Sequence, residues 1–192
     1  MTKDTLVQEA YILNVLQISD YAKDLRLSLL ETCIQKVLKV DVNCTREQII
    51  DAELNFQPSE DQSSSPDLQI CMQLPLADRL DTMIEKLYAF IKKNSLRNEL
   101  VPNSEENWEA TKSMYKDLLF TFDKYILCTY GSSHVQFLMF YICSFKSMLS
   151  EGFLDYLWKK FSNPASCHIT KQICTYYIGK YFLIRVFFKR IC

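Results

Sequence analysis

The twelve residues HVQFLMFYICSF, positions 134–145, contain no Asp, Glu, Lys or Arg and carry four aromatic rings. Two kinds of structure accommodate such a run: a membrane span, or an inner helix of an all-helical protein. A spanning helix needs about 20 consecutive apolar residues, and Lys146 interrupts this run well before that. On a helix, Gln136, Ser144 and Ser147 fall within one narrow arc, and the rest of the circumference is apolar. A helix that is apolar nearly all round belongs in a protein interior, covered by neighbours on several sides. The stretch is therefore read as an inner helix.

The remainder of the chain supports an all-α fold. Three glycines and five prolines in 192 residues are too few for the turns of a sheet protein of this size. An apolar fraction of 48% is enough for one domain, residues 1–192, with a real core. Residues 4–18 can form a helix with Leu6, Ala10, Ile12, Leu13 and Leu16 to one side. In DYAKDLRLSLLETCIQKVLKV, a stripe at three- and four-residue spacing joins Leu25, Leu29, Leu30, Cys33, Ile34, Val37 and Leu38, with Asp20 as N-cap. A short helix is expected over 45–53, with Asn43 or Asp41 near its start. Helical periodicity returns over 77–93 (Leu80, Met83, Ile84, Leu87, Phe90, Ile91) and over 105–127. Gly131 ends the latter, and Ser132 or Ser133 caps the next helix. EGFLDYLWKKF reads as a helix with Phe153, Leu157, Trp158 and Phe161 inward. A break at 162–164 leads to a last helix from about Ser166.

One segment departs from this pattern. Residues 55–69, NFQPSEDQSSSPDLQ, hold two prolines, four serines, three acids and no base. Residues 55–75 are expected to be a disordered acidic loop within the domain. Charge is unevenly placed. Positions 41–110 carry fourteen Asp/Glu against six Lys/Arg, and positions 134–192 carry eight Lys/Arg against two Asp/Glu. Such asymmetry bears on partners rather than on fold. The N-terminal MTKDTLVQEAYILNVL has no apolar run followed by a small-residue cleavage site, so no secretory signal is expected. The eight cysteines then read as reduced, with Cys33, Cys143 and Cys174 on apolar helical faces.

The strings HVQFLMFYICSFK, FLDYLWKKF, NPA and YIG, in this order, resemble the RNA polymerase I-specific transcription initiation factor family. VLKVDVNCTREQIIDAE, ADRLDTMIEKL and YKDLLFTFDKYIL are similar to the same family, and the resemblance runs from about residue 28 to residue 182. It implies a HEAT-like α-solenoid built of antiparallel helix pairs. It also implies a non-enzymatic bridging role between RNA polymerase I and the selectivity factor that contains the TATA-binding protein. Action in the nucleus and nucleolus, on ribosomal RNA genes, follows from the same resemblance. Members of the family are several times longer, and IRVFFKRIC leaves the family pattern, so the chain is expected to be a middle fragment of the solenoid, as in a truncated paralogue or a pseudogene-derived product. A solenoid cut in mid-stack exposes the apolar flank of its last repeat, here Phe182, Leu183, Val186, Phe187 and Phe188. The alternative is a remnant without independent activity, or a competitor of the full-length factor.

Chemistry-bearing motifs are sparse. His134 opens an apolar helix, where a satisfied structural imidazole is the plainer reading than a general base. Cys167, His168 and Cys174 lack the paired spacing of a zinc site. No Gly-rich phosphate loop, G-x-S-x-G elbow or H-E-x-x-H string occurs. No enzyme activity, cofactor or metal is expected, and no membrane association. Ser65, followed by Pro66, is a candidate phosphorylation site, and kinase regulation of the family agrees with that; an ordinary turn fits equally well. Lys180, Arg185, Lys189 and Arg190 alternate with Tyr181, Phe182, Phe187 and Phe188. They are candidate partner contacts. Direct DNA contact is the weaker reading, and a solvated outer helix face the plainer one.

Overall fold

The computed structural model describes residues 3–54, 74–96, 105–129 and 131–191, without the side chains of 3–5, 46, 53 and from 185 onward. The described residues are helical with no strand. The chain divides into two compact units. One comprises Met1–Lys93 with Tyr130–Val135, the other Asn94–Thr129 with Gln136–Cys192.

In the first unit, α1 (Lys3–Tyr21) packs on α2 (Arg26–Val42). A 3-10 turn, Lys23–Leu25, joins them. The α2 stripe is buried from Leu30 through Cys33, Ile34, Val37 and Leu38, as its spacing predicts. Leu25 is exposed, because it belongs to the 3-10 turn and not to the helix. On α1, Ile12 and Leu16 are buried, but Leu6 and Ala10 are exposed. Asp20 is no N-cap. It lies near the end of α1 and pairs with Lys93 at 2.7 Å. A short helix, α3 (Arg46–Leu54), follows. Neither Asn43 nor Asp41 begins it. Thr45 and Gln48 do so reciprocally: Thr45 Oγ1 accepts from the Gln48 amide at 3.3 Å, and Gln48 Oε1 accepts from the Thr45 amide at 3.1 Å. That is a capping box, which satisfies two orphan donors at once. Helix α4 (Pro75–Ser95) buries Leu80, Met83, Ile84, Leu87, Phe90 and Ile91, the whole expected stripe.

The second unit holds α5 (Glu105–Thr121), a π-helical turn (Phe122–Ile126), α6 (Phe137–Ser144), α7 (Ser147–Ser162) and α8 (His168–Ile191). Contacts run in chain order, α5 with α6, α6 with α7 and α7 with α8. The uncharged stretch forms α6. Leu138, Met139, Phe140, Ile142 and Cys143 are buried, so it is the inner helix its composition predicts. Gln136 does not share the polar arc with Ser144; it is fully buried. On α7, Phe153 and Leu157 point inward, but Trp158 is 59% exposed and rests on the half-buried Phe161. The buried face of α7 is Leu149, Ser150, Phe153 and Leu157, spaced by threes and fours, and Trp158 lies one residue off it.

An aromatic cluster anchors α8. Phe122 meets Phe153 and Tyr177 edge-on, with ring centroids 5.2 and 5.0 Å apart. Tyr181 meets Phe140 at 5.6 Å. Each such pair contributes about 0.5–1.5 kcal/mol beyond area burial. The phenol of Tyr181 is also satisfied: it donates to Ser150 Oγ at 2.6 Å, and that hydroxyl donates to the Cys143 carbonyl at 2.8 Å. This relay lets a polar ring occupy the interior without an orphaned oxygen.

Candidate protein-interaction surface and internal polar sites

The basic residues singled out from sequence lie on α8. Arg185, Lys189 and Arg190 fall within its backbone span, but their side chains lie outside the described residues. Ser65 and residues 55–73 lie outside them too. Lys180 is described. Its Nζ is 5.4 Å from the ring centroid of Phe137 and 5.4 Å from that of Tyr176, and it donates to the Tyr176 phenol oxygen at 3.2 Å. Two ring faces therefore hold this cation by their quadrupoles. Beside it runs a shallow trough lined by Gln172, Thr175, Tyr176, Gly179, Lys180 and Leu183. The expected exposed flank is present where it is described: Phe182 is 50% and Leu183 64% exposed.

The inward face of α8 is set by Cys174, Tyr177 and Tyr181, all buried. Cys167, just before the helix, is exposed. The Thr170 hydroxyl and amide lie 3.1 and 3.5 Å from its Sγ. These hydrogen bonds hold the thiol below its ordinary pKa. Cys33 and Cys143 behave oppositely, since burial pushes each up to about 12. The six described cysteines are free.

One internal site escaped the sequence reading. Asp41, in the last turn of α2, is 1% exposed. Its carboxylate accepts from the Ser132 hydroxyl at 2.7 Å. It also accepts from the amides of Ser133, His134 and Val135 at 3.0 to 3.2 Å. His134 Nδ1 lies 2.7 Å from Oδ1. An ionised carboxylate only accepts, so Nδ1 carries the proton. Burial by itself would raise the Asp41 pKa. The bonds from His134, Ser132 and the Val135 amide outweigh it and leave the group below its ordinary value. Ser132 and Ser133 are thus ligands of Asp41, whereas the N-cap of α6 is Gln136, with no side-chain cap bond. Ser132, Asp41 and His134 have the residue types of a hydrolytic triad in the wrong order. Both the hydroxyl and the imidazole donate to the carboxylate, so no base activates the hydroxyl. His134 has the structural role that its position suggests. The signal was available in the sequence: Asp41 extends the apolar stripe of α2 by one more step of three from Leu38.

A second acid, Asp123 in the π-helical turn, accepts from the Tyr156 phenol and from Lys160 Nζ. Burial, then the Asp123 carboxylate, pushes the Tyr156 phenol well above its ordinary pKa. Among the described residues no three His, Cys, Asp or Glu side chains gather as metal ligands, and no helix is long and apolar enough to cross a membrane.

Sequence comparison shows the family to which these helices belong. The family described as "RNA polymerase I specific transcription initiation factor RRN3" matches residues 1–183. The chain belongs to this family. A mouse RNA polymerase I-specific transcription initiation factor, RRN3, is 36% identical over 193 residues, covering 90% of this chain and 29% of the mouse protein. A human RRN3-like protein, RRN3P2, is 51% identical over 45 residues, covering 23% of this chain and 13% of its own length. The chain therefore spans less than a third of these relatives. Within the RRN3 family match lie the Asp41 site, the aromatic cluster and the α8 trough through Leu183.

Proposed function

We propose that the chain is a non-enzymatic protein-binding module that docks on RNA polymerase I and links it to the promoter selectivity factor at ribosomal RNA genes, in the nucleus and nucleolus. The observation that carries this reading is the RRN3 family match over residues 1–183. Surface complementarity is its mechanism. The basic residues Lys180, Arg185, Lys189 and Arg190 supply contacts, and phosphate on Ser65 would add negative charge that competes for a basic surface. A HEAT-like α-solenoid is the arrangement that the family resemblance implies, and the chain-order packing of α5 through α8 supports it.

The test is co-purification of the folded, tagged chain with RNA polymerase I from nuclear extract. Retention of the polymerase is expected, with the selectivity factor retained in turn once polymerase is bound. A folded chain that retains no polymerase refutes the reading.

A competitor of the full-length factor is the second reading. Such a chain would occupy the polymerase without completing the bridge. Adding it to a reconstituted initiation reaction separates the two: a bridge raises transcription and a competitor lowers it.

A further inference from the structure

We propose that the outer face of α8 is a docking trough for an acidic amphipathic helix presented by a partner protein. Three exposed apolar side chains set its geometry. Ile169, Tyr176 and Leu183 are 66, 57 and 64% exposed. They are spaced by sevens, so they form one row along the helix, away from the buried Cys174, Tyr177 and Tyr181. A row with one apolar residue per seven supplies one of the two positions per heptad that a helix–helix seam uses, and a second helix can pack its own apolar row against it. Gly179 opens a gap in this face. A Cβ built there would meet nothing within 4 Å, which leaves room for a partner side chain between Tyr176 and Leu183.

Charge chooses the occupant. The 24 residues of α8 include no Asp or Glu. Lys180 stands at the edge of the trough, held by the rings of Phe137 and Tyr176, and among the described residues no carboxylate pairs with it. A cation fixed beside an apolar row, with no described anion paired to it, complements a helix whose apolar row is flanked by Asp or Glu. A second copy of α8 would set cation against cation. A nucleic acid would gain from Lys180 but would leave Ile169 and Leu183 unused. The proposal rests on the reading of the chain as a protein-binding module, and it names the chemistry of one partner surface.

The test is selection of helical peptides of about 18 residues, displayed with randomised faces, on the full chain. The peptides expected to enrich carry excess Asp or Glu beside an apolar row. They should lose binding about tenfold or more on Leu183→Glu and on Lys180→Glu, and keep it on Met148→Glu, an exposed control on α7. Gly179→Trp, which fills the trough without changing its charge, should also abolish binding. Circular dichroism confirms that each variant is folded.

Enrichment of neutral or basic peptides, equal binding to every variant, or no enrichment overturns the proposal. So does a dimer, seen by sedimentation, that Leu183→Glu separates, since the occupant is then a second copy. Duplex DNA that binds through Lys180 and ignores Leu183→Glu overturns it as well. No polymerase enters this assay, so its failure is distinct from failure of polymerase co-purification.

Discussion

Asp41 is buried and accepts hydrogen bonds from Ser132, Ser133, His134 and Val135, so its removal should be costly. Asp41→Ala strands the buried amide of Val135 and the half-buried amides of Ser133 and His134, and a stranded buried donor costs about 1–3 kcal/mol. A loss of about 3 kcal/mol or more is expected in a urea melt. Because the folded-state pKa of Asp41 is lowered, its contribution is complete above the ordinary carboxylate range and is lost as pH falls through the native value. Asp41→Asn should therefore be less stable at neutral pH and should lose part of the acid sensitivity of the wild type. Equal acid sensitivity in both would show that Asp41 is not the titrating group. Cys167 offers a second expectation. Its thiol is exposed and its pKa is lowered, whereas burial holds Cys33 and Cys143 as thiols. Near neutral pH, iodoacetamide should label Cys167 well before those two, because the thiolate is the nucleophile. Mass spectrometry of a time course reads the order directly.

Among the helices, α8 shows how one element serves two purposes. Its inner face is locked by Tyr177 and Tyr181, and its outer face is open at Gly179. Glycine in a helix interior is about 0.5–1 kcal/mol less favourable than alanine. Gly179→Ala meets no neighbour, so it should raise stability by roughly that amount, visible as a higher Tm. Gly152 on α7 is different. A Cβ there would lie 3.3 Å from the Tyr115 phenol oxygen. Gly152→Ala should gain less than Gly179→Ala or be destabilising, and parallel melts of the two variants decide it. The capping box of α3 shows the same economy: Thr45 and Gln48 start a nine-residue helix that isolated propensity would scarcely sustain.

At the scale of the molecule, the uneven charge of the sequence is the property most open to test. Basic residues dominate from position 134 onward and acidic ones from 41 to 110. If the basic end meets the polymerase, capture should fall steadily as salt rises, since exposed charge pairs are screened. Salt-independent capture would assign the contact to apolar surface instead.

Much of the architecture was legible in the sequence. The stripes of α2 and α4, the inner position of α6 and the break before α8 all follow from three- and four-residue periodicity, which local geometry enforces whatever the neighbours are. The family was legible too, in strings that preserve packing rather than chemistry. Periodicity places Asp41 on the buried stripe but has no means of showing which distant segment supplies its donors. Asp41 sits on the α2 stripe as a break in an apolar pattern, and it is tolerated only because a turn ninety or so positions later brings five donors to it. Trp158 reads as core by hydrophobicity but lies one residue off the face that α7 buries. Sequence by itself determined which residues can be helix and which faces are apolar, because those depend on neighbours within a turn or two. Tertiary structure alone decided which of those faces are covered and where a buried charge finds its donors, because both depend on chain segments that are distant in sequence and brought together by folding.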